Sequence, residues 1–101
     1  MKVVFLQSLL KSGNPPNATL RFATSALKDY REFEQKDIKT FKRINRLLQN
    51  IKETPFSGIG KPEPLKHKWT GYWSRRITQE HRLVYKVFED KIVVVQCKFH
   101  Y

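Results

Sequence analysis

Two adjoining stretches of the chain carry hydrophobic residues at a spacing of three to four positions. The first stretch contains Ala26, Leu27, Tyr30 and Phe33, and the second contains Ile38, Phe41, Ile44, Leu47, Leu48 and Ile51. This spacing places apolar side chains on one face of a helix, so we predict two consecutive α-helices. Ser25 is expected to cap the first helix and Asp37 the second. Thr54 and Pro55 should end the second helix, because proline cannot continue it.

Shorter segments of alternating or β-branched residues surround the helices and predict strands. One short strand is expected over residues 18–24, and three more over residues 72–78, 81–88 and 92–99, with tight turns between these three. Residues 65–69 are a further candidate for a short strand. Two helices can cover only one face of such a sheet. The predicted fold class is therefore α+β, with an antiparallel β-sheet and two helices packed on one face.

Alternation along the predicted strands assigns side chains to the two faces of the sheet. The face toward the helices is expected to carry Leu83, Tyr85, Val87, Val93, Val95, Cys97 and Phe99. The opposite, open face is expected to carry Arg76, Arg82, Lys86, Gln96, Lys98 and His100. The alternation therefore gathers basic groups and the last histidine on one surface.

The charge of the chain narrows the class of partner. Twenty Lys and Arg residues face nine Asp and Glu residues in a chain of 101, which gives a net charge of +11. Such a charge implies a polyanionic partner: nucleic acid, an acidic protein or an anionic membrane. Membrane binding would require a basic amphipathic helix with exposed aromatic residues, whereas the aromatic residues here fall within strand-like segments. Nucleic acid is therefore the favoured partner.

Two further features of the composition concern location and boundaries. A single cysteine allows no intrachain disulfide, and we expect a cytoplasmic protein. Residues 11–17 have the composition of a loop, so we divide the chain into an N-terminal extension, 1–17, and a functional domain, 18–101. We expect residues 1–19 to be dispensable. The alternative is that residues 3–10 form an extra strand or helix docked on the sheet.

Three kinds of side chain in the second half of the chain fit RNA cleavage without a metal. A base must take the proton of the 2′-hydroxyl, cations must stabilise the phosphorane, and an acid must protonate the leaving 5′-oxygen. Glu63, held between two prolines in a Gly/Pro-rich loop, is the candidate base. Arg82 and Arg76 are the candidate phosphate clamp, since the guanidinium fork matches phosphate oxygens. His100 is the candidate acid.

Other kinds of site are less compatible with the sequence. We expect no metal and no cofactor, because Cys97 falls on the predicted helix-facing side and the three histidines lack ligand-like spacing. The segment 58–60 lacks the third glycine and the following helix of a nucleotide-binding loop. His81 is expected to be solvent-exposed in a turn. Arg75, beside Arg76, is a further candidate phosphate contact, and non-catalytic RNA binding stays open as an alternative to cleavage.

Three contiguous stretches resemble one known family. They are TPFSGIGKPEPLKH at residues 54–67, GYWSRRITQEHRLVY at 71–85 and FHY at 99–101. Together with the order of predicted elements from about Leu20 to Tyr101, they resemble the YoeB (Txe) toxins of the RelE superfamily of bacterial toxin–antitoxin systems. These toxins usually begin at the strand that starts here near Leu20, so residues 1–19 have no counterpart in the resemblance.

The resemblance implies a RelE-like two-layer fold and a ribosome-dependent mRNA endonuclease active in the ribosomal A site. It also implies a YefM-type antitoxin and frequent dimerisation. The family's general base falls on Glu63, its general acid on His100 and its transition-state arginine on Arg82. Arg76 matches a phosphate contact. Two further active-site positions of the family match Lys66 and Tyr101.

Overall fold

The computed structural model describes residues 19–99, which form two α-helices and a five-stranded sheet. The strands are β1 (Thr19–Phe22), β2 (Glu63–Pro64), β3 (Tyr72–Arg76), β4 (Arg82–Val87) and β5 (Lys91–Gln96), and the helices are α1 (Thr24–Lys36) and α2 (Ile38–Glu53). Our expectations for residues 1–17, His100 and Tyr101 lie outside the described residues. Thr19, which we included in the dispensable segment, is the first residue of β1.

Both helices follow the predicted apolar stripes, but α1 begins earlier than expected. The buried residues of the two stripes are Ala26, Leu27, Phe33, Ile44, Leu47, Leu48 and Ile51. The prediction of Ser25 as N-cap was wrong, because Ala23 occupies that position with extended backbone. The Ala23 N–H still donates to the Val94 carbonyl of β5 at 2.8 Å. The chain therefore stays bound to the sheet through Ala23, and the helix begins immediately after it.

Asp37 caps α2 as predicted. Its carboxylate accepts hydrogen bonds from the Thr40 backbone N–H at 3.2 Å and from the Thr40 hydroxyl at 2.7 Å. The hydroxyl bond, followed by the backbone bond, lowers the pKa of Asp37 from its ordinary value of 3.8. At the other end α2 stops at Glu53, and Thr54 is the C-cap. Ile38, the first residue of the stripe, is exposed at the start of the helix.

The strand order of the sheet is β1-β5-β4-β3-β2. The two-layer α+β architecture is confirmed, but the sheet is mixed rather than antiparallel throughout, since β1 pairs with β5 in parallel. The expected strand at residues 65–69 was also wrong. Residues 67–69 form a 3₁₀ turn, and His67 has a φ of 58°, which ends the extended backbone. The short edge strand is Glu63–Pro64 itself, paired antiparallel with β3.

A bulge changes the predicted alternation in β5. Val84 of β4 pairs with Gln96, whereas the next residue, Tyr85, pairs with Val94. Val95 is therefore an extra residue that inverts the alternation. Val94, like Ile92 before it, lies in the core, so our placement of Val93 and Val95 on the helix-facing side was wrong. After the bulge Cys97 returns to the core, as predicted.

One hydrophobic core lies between the helices and the sheet. The strands contribute Leu20, Phe22, Leu83, Tyr85, Ile92 and Val94 to it. The open face of the sheet lies on the other side of β2, β3 and β4. Among residues 19–99, no helix is long and apolar enough to cross a membrane.

Candidate active site

Three neighbouring strands bring Glu63, Arg76 and Arg82 together. Glu63 of β2 pairs with Ser74 of β3, and Arg76 of β3 pairs directly with Arg82 of β4. Because β3 and β4 turn Trp73, Leu83 and Tyr85 toward the core, the alternate residues face outward. The candidate base and both candidate clamp residues therefore share the open face.

The carboxylate of Glu63 is accessible and lies beside the guanidinium of Arg82. Oε1 of Glu63 is 3.5 Å from Nη1 of Arg82, and the side chains are 56% and 17% exposed, respectively. Two guanidiniums on directly opposite residues repel each other, and a single carboxylate offsets only part of their charge. An anion placed between Arg76 and Arg82 would relieve this repulsion. The geometry therefore favours a negatively charged ligand on the open face.

Two buried polar atoms on this side of the sheet lack a hydrogen-bond partner. Within the part of the chain that the structure describes, neither Nε of Arg82 nor Oγ of Ser74 has a hydrogen-bond partner. Buried polar atoms are usually hydrogen-bonded, since an unsatisfied group costs about 1–3 kcal/mol. Both atoms belong to residues that pair with another site residue, Arg76 in one case and Glu63 in the other. They add unused hydrogen-bonding capacity where the charge is concentrated.

The loop that carries Glu63 is fastened to the sheet by Arg75. This side chain is completely buried on the helix-facing side, which corrects our interpretation of Arg75 as a phosphate contact. Its guanidinium makes five hydrogen bonds, to the Tyr85 hydroxyl, the Asn50 side chain and the carbonyls of Thr54, Ser57 and Ile59. The alternation along β3 could have found this, because it places Arg75 on the same side as Trp73.

Other contacts hold the same loop, residues 54–62. The Tyr85 hydroxyl donates to the Pro55 carbonyl at 2.7 Å, and burial raises the pKa of Tyr85. The Gly60 carbonyl accepts the Arg76 N–H at 2.7 Å, three residues before Glu63. Gly60 has a φ of 80°, and a Cβ at this position would lie 2.7 Å from a methyl group of Leu47. The loop therefore requires glycine here to approach α2 closely.

The end of the described chain lies against Arg82. The Phe99 carbonyl accepts hydrogen bonds from the Arg82 backbone N–H at 3.0 Å and from the Gln96 side chain at 3.2 Å. The next two residues, His100 and Tyr101, are outside the described residues. Phe99, the residue before them, is hydrogen-bonded to the backbone of the candidate site residue Arg82.

His81 is buried, contrary to our expectation of a solvated turn residue. It is 8% exposed and lies between the rings of Phe33 and Phe99, with centroid distances of 5.2 and 5.4 Å. Its Nδ1 accepts the Phe99 N–H at 2.8 Å. The alternation along β4 carried the signal, since His81 and Arg82 must point to opposite sides of the sheet.

The predicted lysines lie at different distances from the site, and one of them faces away from it. Lys66 is exposed at the start of the 3₁₀ turn, three residues after Glu63. Lys86 lies on the open face with its ammonium 5.2 Å from the centre of the Tyr72 ring. Lys98 does not join this patch, because its ammonium lies 3.2 Å from the Glu32 carboxylate of α1. The bulge in β5 redirects this part of the chain toward the helix layer.

The cysteine and the acidic residues do not suggest metal chemistry. Among residues 19–99, no group of three or more His, Cys, Asp and Glu side chains is arranged to hold a metal ion. Cys97 donates to the Ala26 carbonyl at 3.4 Å, and burial raises the pKa of its thiol to about 12. A thiol in this environment stays protonated at neutral pH, which disfavours both nucleophilic and ligand roles.

Fold and site together define a small basic α+β protein that carries Glu63, Arg76 and Arg82 on the open face of its sheet. The sequence model described as "YoeB-like toxin of bacterial type II toxin-antitoxin system" matches residues 22–101. The chain belongs to this family, and its fold is of the RelE/YoeB toxin type.

Individual relatives agree with this assignment. The chain is 51% identical over 73 residues to Toxin YoeB of Escherichia coli K12, covering 72% of this chain and 87% of the relative. It is similar to the toxin in a YoeB–YefM complex from Staphylococcus aureus, with a TM-score of 0.77, 47% identity, and coverage of 83% and 98%. It is also similar to a YoeB dimer from Staphylococcus aureus, with a TM-score of 0.78, 47% identity, and coverage of 87% and 100%.

Replacing Arg75 by methionine should destabilise the fold far more than the same change at Arg76. Arg75→Met keeps the apolar stem but leaves several acceptors of the loop without a donor, which should cost at least about 3 kcal/mol. For a domain of this size, that corresponds to a melting temperature lower by ~10 °C or more. The exposed residue Arg76 is the matched control, and Arg76→Met should change stability by less than about 0.5 kcal/mol. Thermal unfolding followed by circular dichroism measures both. Equal melting temperatures for the two variants would contradict the fastening role of Arg75.

Proposed function

We propose that this toxin is an endoribonuclease that cuts mRNA in the A site of the ribosome and so inhibits translation in the cytoplasm. The observation that carries the proposal is the arrangement of Glu63 beside Arg82, with Arg76 directly opposite, on an open basic face. A phosphodiester is an anion, so it suits the space between two guanidiniums. A carboxylate at the same place supplies a base, which simple RNA binding does not require.

In the proposed reaction Glu63 takes the proton of the 2′-hydroxyl. The 2′-oxygen forms a bond to the adjacent phosphorus while the bond from phosphorus to the 5′-oxygen breaks. His100 donates a proton to that leaving oxygen. The products are one RNA end with a 2′,3′-cyclic phosphate and another with a 5′-hydroxyl, and no metal is consumed or required by this balance.

The arginines are proposed to stabilise the negative charge that develops on the phosphate oxygens during this reaction. Arg82 is the proposed stabiliser of the phosphorane, because it is held close to Glu63 and its Nε is free of partners among the described residues. Arg76 is the proposed second phosphate contact. Lys66 and Tyr101 are proposed to bind the substrate, as matching positions do in the family that the sequence resembles. The whole of residues 18–101 would then act as the ribonuclease domain.

Variants of the proposed catalytic residues test this function on purified ribosomes carrying a defined mRNA. Glu63→Gln and His100→Gln should each slow single-turnover cleavage by about 10²–10⁴-fold, the usual contribution of a general acid or base. Arg82→Lys should slow it by about 10²-fold or more, because lysine lacks the planar fork. Primer extension measures the new 5′ ends. The exposed turn variant Glu89→Gln is the matched control and should cleave like the wild type.

Two outcomes would overturn the assignment. Cleavage that survives in the Glu63→Gln/His100→Gln double variant would reject the catalytic pair. Ribosomes that stall on the mRNA without new 5′ ends in the A-site codon would instead support a non-catalytic basic module that blocks translation. The high net charge makes this second function the relevant alternative.

We further propose that a YefM-type antitoxin with an acidic segment covers the open face, and that the toxin forms homodimers. The Staphylococcus aureus relatives support both, since one was solved with YefM and another as a dimer. The charge of the face also supports an acidic partner, because the repulsion between Arg76 and Arg82 would be relieved by carboxylates as well as by phosphate. Binding there would exclude RNA directly.

Association of toxin and antitoxin should slow as salt increases. Opposite charges speed the diffusional encounter, and salt screens them over a Debye length of about 10 Å at 0.1 M. Stopped-flow mixing over a range of salt concentrations measures the association rate. Arg76→Gln should reduce both the rate at low salt and its dependence on salt, whereas the control Glu89→Gln should reduce neither. A wild-type rate that does not change with ionic strength would contradict electrostatic capture.

A further inference from the structure

Phe99 has an unusual backbone conformation. Its φ is 62°, in the left-handed region that residues with a large side chain rarely adopt. Such a conformation persists only where surrounding contacts hold it. The side chain of Phe99 is 53% exposed and packs against the His81 ring, so it is a weak apolar anchor. The backbone of Phe99 is therefore held mainly by its polar contacts.

Those contacts hold both ends of the residue. The Phe99 carbonyl accepts from the backbone N–H of Arg82, and the Phe99 N–H donates to Nδ1 of His81. Arg82, the first residue of β4, and His81, the residue before it, thus bind the two backbone groups of Phe99. The donor from Gln96 to the Phe99 carbonyl adds a contact from β5.

His81 is itself rigidly placed. Its backbone N–H donates to the Thr78 hydroxyl at 3.0 Å, and its carbonyl accepts the N–H groups of Ile77 and Thr78 at 3.0 and 3.2 Å. The imidazole packs edge-on against Phe33 of α1. The position of Nδ1 is therefore determined by the turn and by the helix layer together.

The hydrogen bond also determines the tautomer of the imidazole. An N–H group of Phe99 can only donate, so Nδ1 must be the unprotonated, accepting nitrogen. The proton of the neutral ring is then on Nε2, which lies 3.5 Å from the Glu80 carboxylate. Charged groups near the ring are Glu80 on its own turn and Asp37 at the junction of the helices. Lys98, next to Phe99, is directed toward Glu32.

We propose that His81 is a positioning residue for cleavage: its Nδ1 holds the backbone of Phe99, the residue that precedes the proposed acid His100, next to Arg82. The proposal deepens the function proposed above, because it assumes that His100 is the acid. His81 does not contact the substrate in this role. It acts by keeping the acid aligned with the phosphate clamp, and misplacing a reacting group by about 1 Å can slow a reaction by roughly 10²-fold.

The tautomer is the first test and needs no variant. A long-range ¹H–¹⁵N spectrum of the wild-type toxin at neutral pH should show His81 with the proton on Nε2. The Phe99 amide should also exchange slowly with solvent. A ring protonated on Nδ1, or a Phe99 amide that exchanges as fast as an unprotected one, would overturn the proposal whatever the enzyme activity.

A pair of amide substitutions that differ by one methylene group separates positioning from simple space filling. Asparagine places an accepting oxygen near the location of Nδ1, whereas glutamine extends its amide toward the location of Nε2. His81→Asn should keep the slow exchange of the Phe99 amide, and His81→Gln should lose it. Melting temperatures measured alongside show how much of any effect is loss of stability.

The same pair tests the consequence for cleavage on ribosomes. His81→Gln should lower the single-turnover rate by about 10-fold or more while ribosome affinity changes less than about 2-fold, and His81→Asn should recover most of the rate. Equal losses in both variants, following their melting temperatures, would reject positioning. A wild type that does not cleave would reject the proposed function, whereas the spectrum and amide exchange would still decide whether His81 holds Phe99.

Discussion

The buried guanidinium of Arg75 is the interaction on which the site depends. Burying a charge is costly unless every polar atom is satisfied, and here all five acceptors are neutral oxygens from α2, the following loop and β4. The result is one polar centre that joins three parts of the fold. Since the loop ends at β2, this centre determines where Glu63 enters the sheet and which residue of β3 it pairs with.

The two faces of β3 thus have different tasks. Arg75 faces the helices and holds the loop, whereas Arg76, the next residue, faces outward opposite Arg82. This separation of roles follows from strand geometry alone, because neighbouring side chains of a strand point to opposite faces of the sheet. The outward face keeps like charges close together and buried polar atoms unused, a combination that reduces stability in the free protein. This cost is consistent with the proposed binding of a polyanion at this surface.

Much of the fold followed from local sequence patterns. The helices agreed with their apolar stripes, and Asp37 capped α2 because a carboxylate before a periodic stretch can accept the free N–H groups. The position of Arg76 and Arg82 on the open face could be predicted from the alternation of side chains along two regular strands. Glu63 joined them because a strand pairing, which the sequence does not display, brings its loop to the sheet edge.

The errors have a common physical origin in contacts between distant parts of the chain. The bulge at Val95 depends on pairing with β4, and it inverted our faces for the middle of β5. The parallel pairing of β1 and the early start of α1 depend on β5 as well. The alternation next to Arg82 indicated the side of the sheet that His81 faces, but not that Phe33 and Phe99, which are distant from each other in sequence, enclose its ring. Periodicity describes one element at a time, and these features arise where elements meet.

We propose that the open face cuts RNA by attack of the neighbouring 2′-oxygen, with Glu63 as the base. Mass spectrometry of the RNA ends made on purified ribosomes, with a metal chelator present, tests it directly. We expect a 2′,3′-cyclic phosphate on one product and a 5′-hydroxyl on the other, because the attacking oxygen belongs to the RNA itself. A 3′-hydroxyl with a 5′-phosphate would show that water is the nucleophile and would contradict the account.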